Sequence, residues 1–145
     1  MRIVLQRVSR AAVTVDGEVT GDIGRGYLIF IGIGAGDDKA KAERMADKIK
    51  KLRLFADADG KTNLSIEDVH GGVLVVSQFT LYADCKKGNR PSFTDAAAPE
   101  LAEALYDHFV AYAKMIFKKA EHGVFGADMA VTLTNDGPFT IILEE

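Results

Sequence analysis

Hydrophobic and polar positions divide the chain into a strand-rich opening, a helix, several short strands, a second helix and a strand-rich end. From Arg2 to Val8 they alternate, with Ile3, Leu5 and Arg7 facing one way and Val4, Gln6 and Val8 the other. A period of two predicts a half-buried strand. Ala11 to Val15 and Glu18 to Ile23 follow as strands, with Asp16-Gly17 between them as a two-residue hairpin signal. Tyr27 to Ile33, YLIFIGI, is apolar on both faces and predicts a buried strand. From Asp38 to Phe55 the period lengthens: Ala42, Met45, Ile49 and Leu52 form an apolar stripe beside a basic one at Lys41, Arg44, Lys48 and Lys51. That is a helix, with Asp37 and Asp38 suited to its N-terminus. A strand near Arg53 to Ala56, a turn at Asp57 to Gly60 and a short strand around Asn63 to Ile66 come next.

The stretch Val73 to Tyr82, VLVVSQFTLY, is the most informative. Four apolar residues after the Gly71-Gly72 turn predict a core strand, and the run then turns polar at Ser77, Gln78 and Thr80. Such residues either cap a strand by bonding local backbone or mark a place where a ligand meets hydrogen-bonding groups. Ala83 to Thr94 is a polar loop with Lys86, Lys87 and Arg90 within five residues, the best stretch in the chain for an anion. Pro99 opens a second helix that runs to about Lys119, with Glu100 and Glu103 at its positive end. Leu101, Leu105, Tyr112 and Ile116, flanked by Ala102, Phe109, Ala113 and Phe117, give it an apolar face wide enough to cover a sheet; Lys114, Lys118 and Lys119 lie at its C-terminal end. Strands Met129 to Thr134 and Phe139 to Leu143 are joined by Asn135-Asp136-Gly137-Pro138. Strands first, then helices alternating with strands, predict an α/β class: one layered domain over residues 1–145, of mixed, largely antiparallel sheets with two main helices.

Composition narrows the class. In 145 residues, 48% hydrophobic and 27% charged, there is enough apolar material for a core and too much for disorder. No run approaches the roughly 20 apolar residues of a membrane span, and the start goes straight into strand-like sequence, so the expected location is cytoplasmic. Cys85 is the only cysteine and fits a reducing compartment. His70, His108 and His122 share no metal-ligand spacing, and no metal is expected. At a net charge of −3, a nucleic acid would have to be met by a local basic patch. The loop GIGAGDD after the third strand imitates a dinucleotide fingerprint, but Gly32, Gly34 and Gly36 give GxGxG, and Asp37 stands where the third glycine belongs. Two acids at that helix start would repel a pyrophosphate. Neither Ser77 nor Thr80 has a histidine that sequence can place beside it; a backbone oxyanion hole that holds a reactive ester for attack by water is one way a hydrolytic site works without a side-chain triad.

Three segments, SQFTLY at Ser77 to Tyr82, RPSF at Arg90 to Phe93 and NDGPFT at Asn135 to Thr140, together resemble D-aminoacyl-tRNA deacylases. The similarity extends through the chain, including Ile3 to Gly24, ALYDHF at Ala104 to Phe109 and FGADM at Phe125 to Met129. Both family signatures, SQxxL and NxGP with a following Thr, are intact. The resemblance implies a homodimeric, metal-independent hydrolase without cofactor that frees tRNA from D-amino acids and from mischarged glycine. It implies that Ser77, Gln78, Phe79 and Thr80 line the catalytic pocket, with backbone N–H groups near Phe79 and Thr80 meeting the ester carbonyl. A Gly-cis-Pro element, Gly137-Pro138, reaches that pocket from the other subunit and sets chirality. Arg7, which position alone leaves as either an exposed strand charge or an anchor, matches an arginine that steadies this element. Phe125 and Met129 match positions around the terminal adenosine, whose 2′-hydroxyl helps activate water. Lys86, Lys87 and Arg90 are candidates for RNA contact. The competing readings are an RNA-binding module without turnover and a nucleotide-binding subunit.

Overall fold

A computed structural model describes residues 1–145. Its strands are β1 (Arg2–Val15), β2 (Glu18–Ile23), β3 (Gly26–Gly32), β4 (Arg53–Ala56), β5 (Thr62–Ser65), β6 (Gly72–Ser77), β7 (Ala120–His122) and β8 (Ala130–Glu144), and its helices are α1 (Lys39–Lys51) and α2 (Pro99–Ile116). The α/β class with two main helices and a largely antiparallel sheet is as expected.

Two differences concern strand continuity. Segments 2–8 and 11–15 form one strand, because Val8, Ala11 and Val13 continue into a second buried cluster with Ile23, Leu28, Leu74 and Val76. The two C-terminal segments are likewise one strand, running antiparallel to β1 from Arg2↔Glu144 to Thr14↔Ala130. Its register jumps between Gln6↔Thr140 and Val8↔Asn135, so residues 136–139 leave the ladder as a bulge and not as a hairpin turn. Asn135 closes the neck of this bulge, its Oδ1 accepting from Phe139 N at 2.7 Å and its Nδ2 donating to Thr140 Oγ1 at 2.9 Å.

The main sheet has the order β2-β1-β3-β6-β7, with β8 on the other edge of β1; β4 and β5 form a small hairpin. β3, β6 and β7 run parallel to one another. β7 escaped the sequence reading because Ala120, Glu121 and His122 carry no strand periodicity; its pairing with Val73, Leu74 and Val75 places it. Both helices cover one face, where Ile3, Leu5, Tyr27, Ile29, Val73 and Val75 meet Met45, Ile49, Tyr106 and Phe109. Fully burying one such aliphatic side chain contributes about 1.5–3 kcal/mol.

Helix α1 starts as its sequence suggests, with Asp38 Oδ1 accepting from Lys41 N at 2.8 Å. Asp37 does something else. It is buried, and its carboxylate holds the chain's amino terminus at 2.6 Å, Gly34 N at 2.7 Å and Lys41 Nζ at 2.9 Å. Burial works to raise its pKa, but these bonds outweigh it and hold the carboxyl below its ordinary range. Half of the basic stripe of α1 is spent on partners, Lys41 on Asp37 and Arg44 on Glu145, and beside the stripe Lys50 pairs with Glu67. No helix is long and apolar enough to cross a membrane.

Candidate active site

The core strand β6 ends at Ser77, earlier than its sequence suggests. Gln78 N still donates to Ile31 O at 2.8 Å, and Phe79–Tyr82 then turn as a single 3₁₀ turn. The N–H groups of Phe79 and Thr80 open that turn, where its own carbonyls cannot reach them. The turn packs on Gly32 and Gly34: a Cβ on Gly32 would lie 3.0 Å from Leu81 Cβ and 3.1 Å from Gln78 O, and one on Gly34 would lie 2.7 Å from the Tyr82 hydroxyl. The glycines that imitated a dinucleotide motif thus make room for the turn. Arg2 fastens it, donating to Leu81 O at 3.1 Å with its guanidinium 4.6 Å from the Tyr82 ring centre.

Beside the turn lies a cavity of about 530 Å³, walled by the strand end, the start of α2 and the segment from Phe125 to Val131. Ser77, Gln78, Phe79, Phe125 and Met129, from widely separated stretches, line it together. The sequence reading missed the small residues opposite, Ala96, Ala97 and Ala102, and the acid Asp128. Ala96 to Ala98 carry no periodicity or polar group that would mark them as a wall. Tyr106 ties the wall together: its hydroxyl donates to Val75 O at 3.0 Å and Gly123 O at 3.3 Å, and its ring lies 5.8 Å from that of Phe125. Burial, then the Asp107 charge, raises the hydroxyl pKa against the smaller opposing effect of the Gly123 bond, so it stays a donor.

Other expected site residues lie apart. Thr80 is exposed, and its hydroxyl accepts from Gln78 Nε2 beside the cavity. Each histidine is engaged elsewhere: His108 with Glu43, His70 with Lys118 and His122 with Lys114. Lys86, Lys87 and Arg90 stand exposed on a loop pinned at its neck by paired Asp84 and Ser92 backbone bonds. This loop meets the site through Phe93, whose ring lies edge-on to Phe79 at 5.1 Å.

Gly137 and Pro138 occupy the exposed tip of the β8 bulge, and the peptide bond between them is cis. Arg7 is an anchor. Its Nε donates to Asp136 O at 2.9 Å and its Nη1 to Leu54 O at 2.6 Å, while its guanidinium stacks 4.6 Å from the Phe139 ring centre. The tip is therefore held from below, yet neither of its residues lines the cavity of its own chain.

A D-aminoacyl-tRNA deacylase from Lactobacillus acidophilus is 51% identical over 144 residues, covering 99% of both chains. A solved structure titled "c-Myc DNA Unwinding Element Binding Protein" is 42% identical, with a TM-score of 0.94 over 100% of this chain and 99% of its own. A probable eukaryotic D-amino acid tRNA deacylase, 17% identical, shares the fold at a TM-score of 0.85 over 98% of this chain and 97% of its own. With the D-Tyr-tRNA(Tyr) deacylase family model matching residues 4–144, the chain belongs to that family and is a hydrolase of the aminoacyl-tRNA ester bond.

Proposed function

We propose that the chain works as a cytoplasmic homodimer, each copy one domain, that removes D-amino acids and mischarged glycine from tRNA and spares L-aminoacyl-tRNA. The supporting observation is the split between a concave wall and a remote convex tip. Ser77, Gln78, Phe79, Phe125 and Met129 share a cavity, whereas Gly137-Pro138 projects from the same chain elsewhere. Pairing two copies supplies each cavity with the other's tip. The sheet face away from the helices suits such pairing at its β8 edge: Ile142, Val4 and Phe30 are successive cross-strand neighbours, leading from the edge strand β8 toward buried Val76 at the cavity. Ile142 is 69% exposed in the single chain. A long exposed edge strand with apolar side chains is a ready surface for a second copy.

In this reading the terminal adenosine lies against Phe125 and Met129, and the ester carbonyl meets the Phe79 and Thr80 N–H groups. Those donors stabilise the oxyanion as water adds, and the adenosine 2′-hydroxyl assists the water. An aminoacyl ester is reactive enough for positioning and charge stabilisation to suffice. The partner's Gly137-Pro138 backbone stands where an L side chain would go, so selection is by exclusion, and glycine is admitted because it has no side chain to refuse. Lys86, Lys87 and Arg90 contact the RNA.

The test is to incubate pure protein with D-tyrosyl-tRNA, L-tyrosyl-tRNA and glycyl-tRNA, chelator present, and follow loss of the ester. Loss of the D-tyrosyl and glycyl esters alone supports the reading; equal loss of the L ester, or dependence on metal, overturns it. A binding module without turnover is the second reading, favoured by the exposed basic loop and by the DNA-binding name of the 42% identical protein. Retention of tRNA with every ester intact decides for it.

A further inference from the structure

The last turn of α2 and the segment between it and β7 carry cations that the catalytic reading does not use. Lys114, Lys118 and Lys119 are exposed, and none of them is in an ion pair. Two of them bond histidines from other elements: Lys118 Nζ lies 2.9 Å from His70 Nδ1, in the connection before β6, and Lys114 Nζ lies 3.1 Å from His122 Nε2, at the end of β7. An ammonium has only hydrogens to give, so each imidazole nitrogen facing it accepts. His122 can do so because its other nitrogen, Nδ1, donates to Gly123 O at 2.8 Å. Each lysine is thereby positioned without its charge being cancelled, and keeps further N–H bonds for a ligand.

Helix polarity by itself accounts for a lysine in the last turn, here Lys114. It does not account for what surrounds the three, as α1 demonstrates. The end of α1 is also basic, but there Lys50 pairs with Glu67 and the adjoining cleft mixes Lys51 and Arg53 with Asp47 and Asp68. Around the end of α2 no carboxylate pairs with these lysines, and Glu121, paired with Leu74 on β7, stands on the sheet face away from the helices. In a chain of net charge −3, this concentrates positive charge on one strip.

The strip leads to the cavity. Ala102 lines the cavity, Lys114 follows about 18 Å further along the same helix at 1.5 Å per residue, and Lys118 and Lys119 lie just past the helix end at Ile116, in the segment leading into β7. The end nearer the cavity is joined to its wall, since Gly123 O accepts from both His122 and the Tyr106 hydroxyl, and the Tyr106 ring packs on Phe125. The acids of α2, Glu100, Glu103 and Asp107, occupy the half next to the cavity mouth and would repel a backbone crossing there. A nucleic acid whose 3′ end enters the cavity finds along this edge a run of fixed, unneutralised cations.

We infer that Lys114, Lys118 and Lys119, two of them held by His122 and His70, form a docking strip for the phosphate backbone of the tRNA acceptor arm. This deepens the deacylase reading and rests on it for the placement of the 3′ end. The partner is RNA, because the lysines offer compact point charges spaced along an edge, suited to phosphates along a backbone, and no planar fork aimed at one carboxylate.

The test compares the parent with Lys114→Gln/Lys118→Gln/Lys119→Gln, using Lys48→Gln/Lys51→Gln on α1 as the control. Two substrates are used, D-tyrosyl-tRNA and the short ester 3′-D-tyrosyl-adenosine. The expected result is an about tenfold fall in the ratio of kcat/KM for tRNA to kcat/KM for the short ester, with the control pair leaving that ratio in place. The slope of log KM for tRNA against log salt should shrink by about 2 to 3, one counterion release for each lost phosphate contact. An equal loss on both substrates, or an unchanged salt slope, overturns the inference. If the parent hydrolyses neither ester, the deacylase reading has failed and the strip is judged by affinity for uncharged tRNA. There a reduced salt slope in the triple variant supports it, and an unchanged slope or binding of acidic protein in place of tRNA overturns it.

Discussion

The cavity beside Ser77 and the tip at Gly137 are made in opposite ways. The cavity is concave and set on the end of a strand whose residues from Gly72 to Val76 are all buried. Its floor is held by main-chain bonds from Gln78 N to Ile31 O and from Gly123 N to Val75 O. The tip is convex and exposed, has left the β1 ladder, and depends on side chains: Asn135 closes its neck, and Arg7 grips Asp136 and stacks on Phe139. A rigid backbone wall suits a task common to all esters, presenting N–H groups to a carbonyl. A side-chain-braced projection suits discrimination, which depends on where one small obstacle stands. The two belong to one function only if another copy brings them together.

The largest expected effect comes from preventing that meeting. Ile142→Lys places a charge on the outward face at a site already exposed, so folding should be little affected. Sedimentation should show a monomer, and the D-over-L ratio of deacylation rates should fall on the order of a hundredfold because the tip no longer reaches the cavity. A monomer that keeps the parent's ratio would break the comparison at its root.

A smaller effect follows from loosening the tip alone. Lysine cannot reproduce the fork with which Arg7 reaches Asp136 O and Leu54 O while stacking on Phe139. Arg7→Lys should therefore narrow the D-over-L ratio of deacylation rates about tenfold, ~1.4 kcal/mol, with less change in the D rate. Gly137→Ala should act in the same direction, since its φ is +145° and the new Cβ would lie 2.8 Å from Phe139 N. An undiminished ratio in both variants removes the tip from chirality.

Within the cavity region, Thr80 tests whether side-chain chemistry is needed at all. Its hydroxyl is exposed and its recorded partner is Gln78, so Thr80→Ala should keep kcat within about threefold of the parent. Abolished turnover with intact folding and tRNA affinity, or a trapped acyl-Thr80, would replace water attack with a covalent route.

The least effect on either region is expected from Asp37. Its pKa is lower folded than in the ordinary carboxyl range, so its stabilisation is present above about pH 4 and is lost as pH falls through the folded value. Asp37→Asn strands the amino terminus and Lys41 without their counter-charge. Denaturant midpoints should fall at neutral pH by the equivalent of about 3 kcal/mol, and the acid-dependent loss of stability should flatten. The D-over-L ratio should not move; if it does, cavity and tip are not independent of the fold's anchoring.

Much was legible in the chain itself. The alternation in Arg2 to Val8, the apolar runs before Gly32 and Ser77, and the stripes of both helices are local consequences of which side chains must leave water, and they predicted the elements and the α/β class. The intact SQxxL and NxGP segments likewise pointed to the residues that line the cavity and form the tip. What local pattern could not carry was pairing. That 2–8 and 11–15 are one strand, that residues 136–139 are a bulge and that Ala120 to His122 form a strand at all depend on a neighbour's hydrogen bonds, which no periodicity records. Gly32 and Gly34 show the same limit, because the turn that presses on them lies more than 40 residues away. Tertiary structure alone decided that Arg7 is an anchor and that the Lys41 to Lys51 stripe is partly neutralised while Lys114, Lys118 and Lys119, at the end of α2 and just beyond it, are not, since a charge's meaning is set by the groups that folding places beside it.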